Sequence, residues 1–379
     1  MSNANLTIGF ARRGYSASGG AEAYLKRLAR GVVELGHTTV LFTTSDWPTG
    51  DWTFGEIKHL RSRSPLGFAH ELEEEALRKA PCDVLMSLER VHSCDVYRAG
   101  DGVHRAWLER RKGFETPLDQ FLRRFNRKHN DIVLLEKALL DDRGAERVIA
   151  NSKMVKDEIV DLYNYRPDRI DVVRNGVPLD QFRFDAEVRD KARTKLGLGA
   201  DEQAILFVGS GWERKGLRFA IEAVESSAHR KMRLFVAGRG SQDRYQSKCA
   251  QFLGEVLDLL PIYAAADLFL LPTIYDPFSN ACLEALACGL PVITTRANGF
   301  SEIMEDKIHG SIIDRADDVP ALRKALDVWC DPTWRSAARS SILKRAAQFD
   351  ISKNIAQTIP ILLQAATDAA SRSGNMRKT

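Results

Sequence analysis

The chain has 379 residues, 44% of them hydrophobic and 28% charged, which excludes an intrinsically disordered or collagen-like protein and leaves room for two domains. Its 55 basic residues against 51 acidic ones give a net charge of +4, too near balance for a dedicated nucleic-acid binder. Six scattered cysteines, Cys82, Cys94, Cys249, Cys282, Cys288 and Cys330, form no C-x-x-C pair and stand at no zinc-ligand spacing with histidine, so they read as reduced, mostly buried thiols of a cytosolic protein.

The first residues show no basic stretch followed by a long apolar run, and no segment approaches the roughly 18 uninterrupted apolar residues of a membrane span. The expectation is a chain without a secretory signal, whose membrane contact, if it has one, is peripheral. In chain order, strand-like apolar runs fall at Leu6–Ala11, Thr39–Thr43, Asp83–Leu88, Val148–Ala150 and Ile170–Val173. Between the first two, Leu25, Leu28, Ala29 and Val32 recur with the period of a buried helix face, and Gly36 suits the position just past its end. His37, next to it, reads as structural.

The alternation pauses around Asn175-Gly-Val-Pro and the charged stretch Asp180–Lys195, then returns with runs at Ala204–Val208, Leu234–Ala237, Leu268–Leu271 and Val292–Thr295. Helical patterns lie near Leu217–Val224, Ala281–Ala287 and Pro320–Trp329. This is the signature of parallel α/β sheets in two Rossmann-like halves. It predicts an N-terminal domain over 1–176, a linker over 177–200 and a C-terminal domain over 201–350. A helix over 351–370, carrying Ile355, Ile359, Leu362 and Leu363, is expected to pack back on the N-terminal domain, with a flexible tail over 371–379. Two such halves facing each other line a cleft with the C-terminal ends of their strands, where helix N-termini favour an anionic ligand.

Four segments carry candidate chemistry. In Gly14-Tyr-Ser-Ala-Ser-Gly-Gly-Ala-Glu22, Gly19 and Gly20 let backbone approach a phosphate or sugar closely. The spacing matches neither a dinucleotide fingerprint nor a P-loop, and a plain tight turn is the other reading. In Val208-Gly-Ser-Gly-Trp-Glu-Arg-Lys-Gly216, the adjacent cations Arg214 and Lys215 open a helix, where its positive end disfavours them unless an anion sits there. That points to a pyrophosphate, gripped by the guanidinium fork and a mobile ammonium; a solvated surface pair is the alternative.

The third segment runs from Pro272 to Val292 and holds Asp276 in a loop, a helix start near Ser279 or Asn280, and Glu284 one turn in. Eight residues apart, the two carboxylates cannot share a proton. They can hold hydroxyls at two ends of an extended ligand while the N–H groups of Phe278, Ser279, Asn280 and Ala281 meet its middle; an ordinary capped helix is the alternative. The fourth, Arg98-Ala-Gly-Asp-Gly-Val-His104, makes Asp101 a loop-tip residue, and His104, with a pKa near neutrality, can donate to a sugar hydroxyl or serve as a plain loop histidine.

Asp276 immediately before "PFSNACLEALACGLPVI" and Glu284 within it, together with "GSGWERKG", "GGAE" and "NGVP", resemble the retaining glycosyltransferases of family 4, from Gly19 to about Leu322. "DVYRAGDGVHRAW" is similar to the group that glucosylates the first heptose of the lipopolysaccharide core. The resemblance implies a GT-B fold, a nucleotide-diphosphate sugar donor, usually UDP-linked, and neither metal nor cofactor. It implies that Arg214 and Lys215 neutralise the diphosphate, Glu284 binds the ribose hydroxyls, Asp276 contacts the transferred sugar, and Asp101 and His104 stand beside the reacting centre. Asp276 takes the place of the family's usual Glu, and Ser279-Asn280 that of a Gly-hydrophobic pair, departures that bear on which sugar is moved.

Residues 105–128 hold eight cations, Arg105, Arg110, Arg111, Lys112, Arg123, Arg124, Arg127 and Lys128, against three acids, Glu109, Glu115 and Asp119, for a local charge of +5. Trp107, Leu108, Phe114, Leu118, Phe121, Leu122 and Phe125 lie between them. This composition suits an anionic membrane surface, and the region resembles the membrane-contacting insertion of the lipopolysaccharide enzymes; two solvated amphipathic helices are the alternative. The expected activity is hexose transfer, glucose first, to a lipid-linked glycan at the cytoplasmic face of the inner membrane. The same chemistry on another polysaccharide or a soluble acceptor, and a silent sugar-nucleotide-binding protein, are the alternatives.

Overall fold

The computed structural model describes residues 5–16, 20–78, 82–123, 126–227, 229 and 231–376. The chain divides into two units, one of residues 1–173 with 354–379, the other of 174–353.

The first unit is built on seven strands: β1 (Thr7–Ala11), β2 (Thr38–Thr44), β3 (Gly55–Leu60), β4 (Val84–Ser87), β5 (Cys94–Ala99), β6 (Ala145–Ala150) and β7 (Ile170–Val172). They pair in the order β3-β2-β1-β4-β5-β6-β7, every pair parallel. Helices cover a parallel sheet on both faces, which is why the central strands are apolar throughout: Ile8, Phe10, Leu41, Phe42, Val84 and Val148 are fully or almost fully buried. The helix Gly20–Glu34 buries Leu25, Leu28, Ala29 and Val32, and the buried His37 beyond it accepts the N–H of Leu6 at Nδ1, 3.4 Å away.

Two strands escape the apolar pattern for different reasons. β3 is an edge strand whose residues are mostly exposed, and its sequence is accordingly polar. β5 lies inside the sheet but carries Asp95, which accepts the N–H of Leu85, and Arg98, which stacks 4.1 Å from the Tyr24 ring.

The second unit holds β8 (Gln203–Val208), β9 (Met232–Ala237), β10 (Ala250–Gly254), β11 (Leu268–Leu271), β12 (Val292–Thr295) and β13 (Gly310–Ile313). Their order is β10-β9-β8-β11-β12-β13, again all parallel. The edge strands β10 and β13 are the two without a long apolar run. The helix Leu217–Glu225 buries Leu217, Phe219, Ile221 and Val224, each stabilising the unit by about 1.5–3 kcal/mol. All six cysteines are unpaired, and Cys94, Cys282, Cys288 and Cys330 are buried.

Three boundaries differ from the sequence expectation. The segment 177–200 is not a free linker: it carries a helix, Ala186–Lys195, within the second unit. Arg189 and Arg193 on that helix clamp buried Asp267 at 2.6 and 3.0 Å and bond the carbonyls of Ala264–Ala266. Residues 174–177 join the second unit because Val177 pairs with the returning chain, its N–H to Phe349 O and its carbonyl from Ile351 N–H. The last helix runs from Ile351 to Met376, through most of the expected flexible tail, because Arg372 is held by Asp95 and Glu146, each at 3.2 Å. No helix among the described residues is long and apolar enough to cross a membrane.

Candidate active site

In each sheet the strand order reverses at one point, between β1 and β4 in the first unit and between β8 and β11 in the second. Ligands of open α/β sheets bind outside the carboxyl ends of the strands at such a point. In the second unit the two loops leaving it carry Arg214-Lys215 after β8 and Asp276 after β11.

These loops are fastened to each other. The N–H of Ile274 and the hydroxyl of Thr273 both donate to the Arg214 carbonyl, at 2.8 and 2.9 Å. Gly216 closes the first loop with φ of 74°, and a Cβ there would lie 1.9 Å from Pro272 O, so only glycine lets the loops approach this closely. The Lys215 stem lies over Gly209 and brings Nζ to 2.7 Å from Asp276 Oδ2. The anion that answers the unfavourable charge of Lys215 before the helix Leu217–Glu225 is therefore, in the first place, a carboxylate of the chain itself. Arg214 is half-buried, and its guanidinium makes no ion pair or side-chain hydrogen bond among the described residues.

The helix Asn280–Ala287 begins where the sequence suggested, with Ser279 as its cap, 3.4 Å from the N–H of Cys282. Fully buried Asn298 organises this corner: its Oδ1 accepts from the N–H groups of Ser279 and Phe300, and its amide donates to Thr294. Asp276 is tied to the same loop by its N–H to Ala297 O and by the N–H of Gly299 to its own carbonyl. Buried Phe278 packs edge-on against Phe300, while exposed Asn280 accepts from Asn175 Nδ2 at 2.8 Å. One turn in, Glu284 accepts from the hydroxyl of fully buried Tyr263 at 2.8 Å, and the same hydroxyl lies 3.2 Å from the carbonyl of Ala281. Burial first, then the charge of Glu284, pushes the Tyr263 phenol well above its ordinary value, so it stays a donor. Asp276 and Glu284 thus have separate partners and do not form a dyad.

In the first unit, Asp101 is exposed on the turn after β5 and Gly102 within it has φ of 70°. This loop is held from beneath. Arg90 donates to Gly102 O at 2.6 Å and to Glu136 at 2.9 Å, and Asn151 donates to Gly100 O. Glu136, on the helix Arg127–Leu140 and only 1% exposed, accepts the N–H groups of His104 and Arg105 at 2.7 and 2.9 Å and the Tyr163 hydroxyl at 2.8 Å. It thereby caps the helix His104–Lys112, occupying the N–H groups that an anionic ligand would otherwise meet. Burial works against its charged form, but Arg90, the two N–H groups and Tyr163 outweigh it and hold the carboxyl below its usual value. The His104 ring meets that of His129, Nε2 to Nδ1, at 3.0 Å. Beside this loop, at the strand-order reversal, Arg12 bridges Glu22 and Glu89 at 3.1 and 2.7 Å. Burial raises Glu89 above the ordinary carboxylate range against the pull of Arg12 and Arg13.

Gly20 is the exposed first residue of its helix; Gly19 lies outside the described residues. The basic stretch forms the helices His104–Lys112 and Pro117–Arg123 and the start of Arg127–Leu140. Several of its cations have protein partners: Arg110 pairs with Glu158 at 2.9 Å, Arg111 with Glu115, Lys112 with Glu109, and Arg105 bonds Leu162 O. The Arg111 guanidinium also lies 5.6 Å from the centre of the Trp107 ring. Arg127 and Lys128 are exposed, as are Leu118 and Phe121, at 65% and 54%. Arg124 and the side chain of Arg123 lie outside the described residues.

Sequence reasoning missed Arg90, Glu136, Tyr163, Tyr263 and Asn298. Only Asn298 carried a local signal, as a loop residue between a strand and a helix.

Residues 202–330 match the family described as Glycosyl transferases group 1, and residues 18–181 the one described as Glycosyltransferase Family 4. The chain is 30% identical over 378 residues to a probable transglycosylase of Burkholderia thailandensis, covering 96% of this chain and 98% of that protein. It is 25% identical over 348 residues to the lipopolysaccharide glucosyltransferase WaaG of Escherichia coli, covering 85% and 90%. A match to an uncharacterized glycosyltransferase of Methanocaldococcus jannaschii, 32% identical, spans 43% of this chain and 46% of that relative, about half its length. Among solved structures, WaaG superposes with a TM-score of 0.80 at 22% identity, covering 94% of this chain and 99% of that one. Anabaena HepE in complex with UDP-glucose gives 0.72 at 20% identity, covering 97% and 100%. At these identities the likeness concerns the fold, which is GT-B.

Proposed function

The chain belongs to the family 4 glycosyltransferases of group 1, and from that premise we propose that it moves a hexose, glucose first, from a UDP-linked donor to a lipid-linked glycan such as the lipopolysaccharide inner core. The observation that carries the donor side of this reading is the cationic corner at the β8/β11 reversal. There Lys215 is held by Asp276, the Arg214 guanidinium makes no ion pair or side-chain hydrogen bond among the described residues, and Glu284 is steadied by Tyr263. WaaG is by name a lipopolysaccharide glucosyltransferase and HepE was solved with UDP-glucose, which supports the choice of donor and acceptor.

In this reading the diphosphate lies against Arg214 and Lys215, the ribose hydroxyls against Glu284, and the transferred sugar against Asp276. Backbone N–H groups of Phe278, Ser279, Asn280 and Ala281 meet the middle of the donor. As the bond from the anomeric carbon to the diphosphate breaks, charge grows on the leaving oxygen, and the two cations stabilise it without help from a cofactor or metal ion. The departing diphosphate takes the proton of the acceptor hydroxyl on its own face, and the new bond forms on that face, so configuration is retained. The same reading assigns Asp101 and His104 to sugar hydroxyls. The test is a thermal-shift series with UDP-, GDP- and ADP-sugars followed by NMR of the product anomer. UDP-glucose is expected to raise the melting midpoint most, in proportion to ln(1 + [L]/Kd). No shift with any donor, together with no donor hydrolysis, would sink the reading; an inverted product would remove retention alone.

The acceptor side includes a peripheral contact with an anionic membrane at its cytoplasmic face. Leu118 and Phe121 project from the helix Pro117–Arg123, with exposed Arg127 and Lys128 following it. Exposed apolar side chains beside exposed cations suit insertion beneath anionic headgroups, at about 1 kcal/mol per cation. Replacing both Leu118 and Phe121 by serine is expected to weaken binding to anionic vesicles by at least about tenfold, since each buried apolar side chain contributes about 1.5–3 kcal/mol. Co-sedimentation measures it, and equal binding of the parent chain to anionic and zwitterionic vesicles would reject the contact.

A further inference from the structure

Outside the sugar-transfer machinery, we propose that His70, Glu73 and His92 form a binding site for one divalent transition-metal ion, zinc by the nature of its donors. Each residue offers one ligand atom, and the three atoms lie within 4.8 Å of one another. The chain builds this convergence from two successive connections. His70 lies in the last turn of the helix Pro65–Leu72 and Glu73, its cap, follows at i+3, so the two share a helix face. At Glu73 the helix widens into a π-turn, Glu73–Arg78, a feature that recurs at functional positions. His92 comes from the loop between β4 and β5, pinned from behind: a Cβ on Gly144 would lie 2.0 Å from His92 O, and Cys94 donates to Gly144 O.

The geometry is near what an ion requires. Two imidazoles on a tetrahedral ion, with metal–nitrogen bonds of about 2.0–2.1 Å, hold their ring centres about 5 Å apart and need not be parallel. Here the centres are 6.4 Å apart with planes at 82°. Ligand atoms on such an ion stand about 3.4 Å apart, so side-chain rotations of about 1 Å complete the set. None of the three side chains has a hydrogen bond or ion pair among the described residues, so an ion breaks none of either kind. Two nitrogens and one carboxylate oxygen select zinc and its first-row neighbours over magnesium or calcium, and leave a fourth position to water. The ion would staple the end of the Pro65–Leu72 helix to the loop that carries Arg90, the residue supporting Gly102.

Isothermal titration of the metal-stripped full chain with zinc chloride near pH 7.5, where protons compete little with metal for imidazole ligands in general, reads this directly. One equivalent is expected to bind. His92→Gln and Glu73→Gln are each expected to lower the affinity by at least about tenfold, since even outer-shell partners of a metal carry about 10–100-fold. Zinc should raise the melting midpoint of the parent and leave that of His92→Gln where it is, while both chains melt alike in a chelator. The facing rings of His104 and His129 are the rival ligands. Binding that survives His92→Gln and Glu73→Gln but is lost in His129→Gln overturns the assignment, as does the absence of stoichiometric binding by the parent. The outcome is independent of the donor series above.

Discussion

On the proposed function, replacing Lys215 by alanine is expected to slow sugar transfer by about 10²–10³-fold while UDP still binds, because the ammonium would act mainly on charge that develops as the diphosphate leaves. The measurement is kcat against the dissociation constant of UDP. The pair with Asp276 complicates the variant, since removing Lys215 leaves a carboxylate that is 4% exposed without its partner at 2.7 Å. Loss of stability could then pass for loss of catalysis. A second variant separates them: Lys215→Ala combined with Asp276→Asn removes both charges, so its melting midpoint should recover toward that of the parent while turnover stays low. Unchanged turnover in Lys215→Ala would remove Lys215 from the reaction. Recovery of turnover in the double variant would show the pair to be structural only.

That pair marks where reading the chain stopped short. Lys215 and Asp276 were each legible, one as a cation before a helix and the other as a loop carboxylate after a strand. Their bond was not, because it joins residues 61 positions apart and depends on β8 and β11 being neighbours. Strands buried on both faces were legible for the converse reason: β1, β2, β8, β11 and β12 are apolar runs that need no partner to be recognised. The edges β3, β10 and β13 lack a long apolar run and look like loops, and β5 hides behind Asp95 and Arg98. Charge misled most where its partner lies far along the chain. Arg189 and Arg193 read as solvated linker until Asp267 and the Ala264–Ala266 carbonyls were brought to them, and Arg372 read as tail.

Glu136 is the strongest instance, and it carries the second large effect. Nothing local distinguishes it from the exposed acids of a surface helix; its partners Arg90, His104 and Tyr163 lie 46, 32 and 27 positions away. Glu136→Ala leaves Arg90 Nε and the first N–H groups of the helix His104–Lys112 without an acceptor at a site only 1% exposed, although Arg90 keeps its bond to Gly102 O. Breaking one side of a buried, hydrogen-bonded pair costs about 3–5 kcal/mol. In a domain of this size that lowers the melting midpoint by about 6–20 °C. Tyr163→Phe removes a single hydrogen bond and should cost only about 1 kcal/mol.

The acid limb of the stability curve gives an independent readout. The folded carboxyl titrates below the ordinary value of 4.5, so its contribution is complete above that value and disappears as pH falls through the lower, folded one. Stability of the parent should therefore fall in that acid window more steeply than that of Glu136→Gln, which has nothing to protonate. Chemical denaturation at a series of pH values measures the difference. On the role proposed for His104, whose N–H the same carboxylate holds, Glu136→Gln should also lower kcat at temperatures where it is fully folded, with the affinity for UDP unchanged. A variant with parental stability and a parental acid limb would show that Arg90 and the helix end find other partners, and that Glu136 does not hold the loop.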